Sequence, residues 1–143
     1  MVADLPPVDM EFVQPGCRDI GAGRFHAFAH GELLEDAISL ILDNTLSISS
    51  PNDFLTSSEG MFSLSGACMQ LIFIGESVKV IDNKTNHSYL NKYPNVPWSE
   101  IMGLRDIIAH EYHHIDSEEI FKVIKDDLPS LLAIVRQMKE DLN

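Results

Sequence analysis

Residues 61–84 read MFSLSGACMQLIFIGESVKVIDNK, a long stretch without proline. Apolar residues recur in it at spacings of three and four, which favours a helix with one broad apolar side. These residues are Leu64, Ala67, Cys68, Leu71, Ile72, Ile74, Gly75, Val78 and Ile81. The central LIFIG is compatible with a buried strand by content alone, but the length and the flanking spacing favour a helix. The stretch therefore predicts the long central helix of an all-α fold.

Helical patterns continue on both sides of this segment. Upstream, residues 33–42 repeat apolar side chains at helical spacing, with acidic residues on the other side. Downstream, Pro97 opens a helix, and Asp116 begins a short one, with acids in its first turn, that runs to about Lys125. A last helix starts at Pro129. We predict an antiparallel, up-and-down bundle of four main helices with short accessory turns.

The N-terminal end differs in composition from the rest of the chain. Residues 1–23 are rich in proline and glycine and show neither a helical nor a strand period. We therefore predict a poorly structured or atypical N-terminal arm over residues 1–29 and one helical bundle domain over residues 30–143.

Composition narrows the class of protein. No stretch of 18 or more residues is free of polar breaks, and the first residues lack a basic segment followed by an apolar run, so neither a membrane partner nor a secretory signal is expected. Two cysteines do not make a disulfide framework, and we expect a cytoplasmic protein. The net charge of −12 argues against coating nucleic acid by bulk electrostatics. DNA is not expected as a partner, whereas a local RNA site remains compatible with this charge.

The segment from Leu104 to Tyr112 holds the densest set of chemically useful side chains. On a helix, Asp106 and His110 share a face because they are four residues apart, whereas Arg105 and His110 lie roughly 140° apart around the axis. Histidine transfers protons near neutral pH, and arginine grips phosphate oxygens with a forked, permanently charged group. An arginine and a histidine without a metal set suit cleavage of RNA by its own 2′-hydroxyl. The spacing alone is a weak signal, since a surface arginine and a capping histidine give the same pattern.

Residues 93–112, YPNVPWSEIMGLRDIIAHEY, resemble the signature of the HEPN superfamily, and most closely its HepT-like toxins of toxin–antitoxin pairs. The matching pieces are Tyr93-Pro94, Val96-Pro97-Trp98, Ile101 to Arg105, and His110-x-Tyr112. Further likeness lies at Ile74-Gly75-Glu76 with Lys79, at Ile115-Asp116, and at Asp126 to Pro129. Together they cover roughly residues 30–143, and the first 29 residues depart from the family pattern.

The resemblance implies a helical bundle that dimerises, with two copies of the motif facing one cleft, and a metal-independent endoribonuclease without a cofactor. It implies that Arg105 and His110 are the catalytic pair and that Asp106 supports them. It also implies a nucleotidyltransferase (MntA-like) antitoxin that silences the enzyme by attaching AMP to Tyr112.

Two supporting candidates lie on the central helix. Glu76 and Lys79 are positioned to line the same cleft. The simpler alternative is a solvated ion pair on a helix surface, which is common for a glutamate and a lysine at this spacing.

Two alternatives to the ribonuclease stay open at this point. His110-Glu111-x-x-His114 matches the zinc-protease pattern, in which two histidines on one helix face bind the metal. Against it, the capping sequence at Asp116 predicts that the helix ends near His113, and no later histidine offers a third ligand. The second alternative is a non-catalytic HEPN dimerisation or binding module, which the presence of both Arg105 and His110 disfavours.

Overall fold

The computed structural model describes residues 20–110 and 114–142. Five α-helices form the described part: α1 (Ile20–Asn44), α2 (Ser58–Lys84), α3 (Trp98–His110), α4 (Ser117–Lys122) and α5 (Leu128–Leu142). Short 3-10 turns lie at Pro51–Phe54 and Leu90–Lys92, and a π-helical segment at Val123–Asp127 joins α4 to α5. These ranges contain no strand, so the all-α prediction is confirmed. Because α4, the π segment and α5 run on as one helical unit, the bundle has the four main helices predicted.

Helix α1 begins earlier than its apolar pattern. It starts at Ile20, inside the stretch predicted as an N-terminal arm over residues 1–29, while residues 1–19 of that arm lie outside the described residues. From Leu34 onward its apolar side is buried against the bundle. The division into an arm and a domain at residue 30 stays a prediction.

Helix α2 is the centre of the bundle, as its sequence predicts. Its first turn is capped by Ser57, whose Oγ accepts a hydrogen bond from the backbone N–H of Gly60 at 2.9 Å. Its buried side includes Leu71, and burial raises the pKa of the Cys68 thiol to about 11, which marks Cys68 as a core residue. By length and composition, α2 is the one described helix apolar enough to cross a membrane. Half of its most apolar stretch is buried inside the bundle, as in an ordinary core helix, so this is weak evidence for a span.

The C-terminal helices differ in detail from the prediction. Asp116 caps α4 as expected, and its Oδ1 accepts from the backbone N–H of Glu118 at 2.9 Å. The predicted break between Lys125 and Pro129 is absent, since the chain passes through the π-helical segment directly into α5. Pro129 has no N–H to donate, and it lies two residues after the segment in which the regular hydrogen-bond ladder is altered.

The packing of the helices leaves one side of the bundle open. Helix α2 packs against both α1 and α3, and α1 packs against α5. Helices α3 and α5 stay apart, and a groove with a volume of about 1040 Å³ lies between them. The core therefore sits between α1, α2 and α5, with α3 attached to it mainly through α2.

Candidate active site

The start of α3 is fixed by aromatic residues that precede and open it. Trp98 is buried, and its Nε1 donates a hydrogen bond to the carbonyl of Tyr93 at 2.9 Å. The Tyr93 hydroxyl donates to Asp141 Oδ2 of α5 at 2.6 Å. Burial of the ring and this acceptor raise the pKa of Tyr93 well above its ordinary value. These contacts tie the loop before α3 to the bundle and so set where the helix begins.

A glycine sets how closely α3 approaches α2. A Cβ atom added at Gly75 would lie 2.8 Å from the carbonyl oxygen of Ile101 and 3.8 Å from the backbone nitrogen of Arg105. No real side chain tolerates the first distance, so the two backbones touch because residue 75 is glycine. Sequence reasoning assigned Gly75 no role, although a glycine inside a long helix costs about 1 kcal/mol and so calls for a packing reason.

This crossing brings together two of the predicted site residues. The Nε atom of Arg105 lies 3.3 Å from Oε1 of Glu76, the residue that follows Gly75. Oε1 is buried, and the contact is an ion pair without hydrogen-bond geometry. The Arg105 side chain is 54% exposed, so it is held at one point and still open to a ligand. Within the described residues Glu76 pairs with this arginine, and no ion pair joins it to Lys79.

The other predicted residues of α3 are exposed. Asp106 and His110 are open to solvent, and His110 is the last residue of α3. They share a face by their spacing, but no hydrogen bond joins them in this part of the chain. On the helix, Arg105 and His110 point in directions roughly 140° apart. A single α3 helix therefore presents the arginine and the histidine on different sides and does not enclose a substrate between them.

Part of the predicted motif lies outside the described residues. Tyr112, the predicted AMP acceptor, and Glu111 of the zinc-protease pattern both fall in residues 111–113. Across residues 20–110 and 114–142, no three histidine, cysteine, aspartate or glutamate side chains cluster closely enough to hold a metal ion. His114 is exposed. The zinc pattern thus gains no ligand set from the described residues.

Comparison with known proteins identifies the family to which this chain belongs. The family model described as "Ribonuclease HepT-like" matches residues 34–138, from the buried part of α1 to the last turns of α5. The chain belongs to the HepT-like ribonuclease family. Family membership confirms the predicted resemblance and the predicted ribonuclease class, and it favours both over the zinc protease.

Individual relatives of this HepT-like chain agree with the family match. A Thermococcus cleftensis protein named "Probable ribonuclease HepT" is 35% identical over 115 residues, which cover 78% of this chain and 97% of the relative. A Methanocaldococcus jannaschii protein described as a candidate RNase is 41% identical over 61 residues, or 43% of this chain and 52% of that relative. A Caldanaerobacter subterraneus protein of the same description is 36% identical over 68 residues. The chain thus spans nearly all of the Thermococcus relative and about half of the Methanocaldococcus relative. No solved structure matches the chain.

Proposed function

We propose that this chain is a metal-independent endoribonuclease in which Arg105 and His110 act on RNA. The observation that carries the proposal is the exposed Arg105 side chain, held by Glu76 where α2 and α3 touch. It lies on the same helix as an exposed histidine, in a HepT-like fold. A permanently charged group beside a proton-transferring group is what phosphodiester cleavage needs.

The chemistry assigns one task to each residue. The 2′-oxygen attacks the adjacent phosphorus while the bond from phosphorus to the 5′-oxygen breaks, leaving a 2′,3′-cyclic phosphate and a 5′-hydroxyl. His110 takes the proton from the 2′-hydroxyl or gives one to the leaving 5′-oxygen. Arg105 donates to the phosphate oxygens, on which negative charge accumulates in the transition state. Glu76 orients Arg105 through Nε, and Asp106 supports His110 from the same face.

We infer that two copies of the chain complete the site. An exposed apolar stripe runs from the N-terminal half of α2 to just past its middle through Phe62, Gly66, Met69 and Phe73, which lie within about 40° of one line along the helix. Phe62 is 81% exposed and Met69 65%, and a Cβ added at Gly66 would meet nothing within 4 Å. The stripe leads to Glu76, so a second copy seated on it brings the two arginines toward one cleft.

Regulation by a partner enzyme is a further part of the proposal. The resemblance of residues 93–112 to HepT-like toxins motivates a toxin role, with a nucleotidyltransferase antitoxin of the MntA type that attaches AMP to Tyr112. The motif His110-Glu111-Tyr112 motivates this assignment. Co-expression with a nucleotidyltransferase encoded beside this gene, followed by mass spectrometry, should show an AMP adduct on Tyr112. An unmodified Tyr112 would contradict it. Two cysteines without a disulfide framework support a cytoplasmic location for such a pair.

The test of the catalytic assignment is a set of matched substitutions, assayed on a fluorescent RNA oligonucleotide in EDTA. Arg105→Ala and His110→Ala should each lower cleavage by about a hundredfold or more, because each removes a group used in the transition state. Arg136→Ala and His87→Ala are the controls, since both side chains are exposed and lie elsewhere. Circular dichroism should show an unchanged helical fold in all four variants. Full activity in Arg105→Ala or His110→Ala would refute the assignment.

A further inference from the structure

The groove between α3 and α5 has an apolar floor. Leu104 and Ile107 of α3 face Leu131 and Ile134 of α5 across it. Ile107 is 43% exposed, although it lies among apolar neighbours. In a closed bundle these two helices would pack at 8–10 Å and bury such side chains against each other. Here Ile107 stays exposed, Leu104 and Ile134 are half-buried, and only Leu131 is buried.

The rim of the groove carries a strong negative charge. Five acidic side chains line it, and they are all exposed: Glu100, Asp106, Glu119, Asp126 and Asp127. Lys122 is the one basic side chain among the described lining residues. These carboxylates lie on α3, on α4 and on the π-helical segment, and they surround a floor of aliphatic side chains. A ligand that fits both features has an apolar side and flanking positive charge.

The charge of the rim rejects other occupants. A second copy of this chain carries a net charge of −12, and RNA or an anionic lipid surface would place phosphates beside the carboxylates. Residues 1–19 of this chain contain Asp4, Asp9, Glu11 and Asp19 against Arg18, so their charge is also of the wrong sign. The shape of the groove, long and walled by two helices, fits a third helix.

We propose that this groove docks an amphipathic helix of a partner protein, with aliphatic residues on one face and lysine or arginine on its flanks. The docked helix takes the place between α3 and α5, and its cations meet the rim carboxylates. It passes beside Asp106, four residues before His110, so docking covers one edge of the exposed α3 face. Binding at the groove stands independently of whether the chain cleaves RNA.

The test uses the full chain and a synthetic fluorescent peptide of about four helical turns. The peptide has leucine at positions i, i+3, i+4 and i+7 and lysine on its flanks; its control has glutamate in place of lysine. Asp126→Lys with Asp127→Lys should weaken binding of the lysine peptide by about tenfold or more. Asp43→Lys with Glu140→Lys is the matched control, because it changes the net charge equally at exposed acids outside the groove. This control should change affinity by less than about twofold.

A second measurement locates the peptide without any substitution. With isoleucine methyl groups labelled, the NMR signals of Ile107 and Ile134 should shift on adding the lysine peptide. Those of Ile38 and Ile81, which are fully buried elsewhere, should not shift. Equal weakening by both double variants, equal binding of the glutamate peptide, or shifts confined to residues outside the groove would overturn the proposal. Shifts of Ile107 and Ile134 with protein concentration alone would also overturn it, by showing that a second copy takes the groove.

Discussion

The two halves of α2 each contain a glycine, and the surroundings of the two glycines are opposite. At Gly75, in the C-terminal half, α3 lies so close that a Cβ would meet the Ile101 carbonyl at 2.8 Å. At Gly66, in the N-terminal half, a Cβ would meet nothing within 4 Å. The closed half positions the Arg105–Glu76 pair, and the open half leaves an apolar stripe. One helix thus serves as core at one end and as an available surface at the other.

The largest expected effect is a difference in stability between substitutions on the buried side of α2 and substitutions on its exposed apolar stripe. Leu71→Ala should lower the free energy of unfolding by about 2–5 kcal/mol, because Leu71 is fully buried and the change leaves a cavity. Met69→Ala, two residues away and 65% exposed, should change it by less than about 0.5 kcal/mol. Urea denaturation of dilute protein measures both. A large loss in the Met69 variant would show that the stripe is covered in the folded protein.

The next effect tests the two glycines directly. Gly75→Ala should destabilise the fold by about 1–3 kcal/mol, because the methyl group pushes the backbones of α2 and α3 apart. Gly66→Ala should stabilise it by about 0.5–1 kcal/mol, since alanine favours the helix and the position is open. The unfolding midpoints of the two variants show whether each substitution stabilises or destabilises the fold. Two changes of the same sign would refute the contrast between the two halves.

A weaker effect concerns association through the stripe. Phe62→Glu combined with Met69→Glu should weaken self-association by about tenfold or more, which corresponds to about 1.4 kcal/mol, because two charges then face the second copy. Leu40→Glu combined with Leu46→Glu adds the same charge at exposed leucines elsewhere and serves as the control. Sedimentation velocity over a concentration series measures both. If the control dissociates the protein equally, the stripe is not the interface.

The smallest effect comes from a charge cluster that joins α1 to α5. Glu35 accepts from Lys139 Nζ at 2.7 Å and from Arg136 Nε at 3.2 Å, and chiefly the Lys139 hydrogen bond lowers the pKa of Glu35. The lowered pKa means that this stabilisation is present above the ordinary glutamate pKa of about 4.3 and is lost as pH falls through the folded value. Glu35→Gln should cost at most about 1 kcal/mol at neutral pH and nothing in acid. Unfolding curves of the native chain and the variant at neutral and at acidic pH measure this cost. An equal loss of stability at both pH values would contradict the role assigned to Glu35.

Much of the fold could be predicted from sequence because its signals are local. The helical period of α2 and the acidic cap at Asp116 each act within a few residues. The continuous path from α4 to α5 could not be predicted, because Pro129 reads as a helix start and a π-helical segment has no clear sequence signature. The start of α1 at Ile20 was missed because glycine and the absence of apolar repeats suggested an arm.

The candidate site was predictable in part. Arg105 and His110 could be identified from the motif, whose family resemblance gave them their roles. The pairing of Glu76 with Arg105 could not be predicted, because it depends on where α2 and α3 cross. That crossing is set by Gly75. The groove could not be predicted from the sequence either, because it depends on the distance between α3 and α5 in the folded bundle.

The π-helical segment at Val123–Asp127 has a consequence for insertions and deletions. Such a segment arises when one residue is added to a regular α-helix, so removing a single residue there can restore an unbroken helix. Because a π turn contains one residue more than an α turn, the shortened helix would keep α4 and α5 on their present faces. Glu119 and Lys122 would then keep their places on the groove wall, as would Leu131 and Ile134 of α5. The same one-residue deletion inside the regular turns of α5 would instead rotate one side of the helix by about 100° relative to the other.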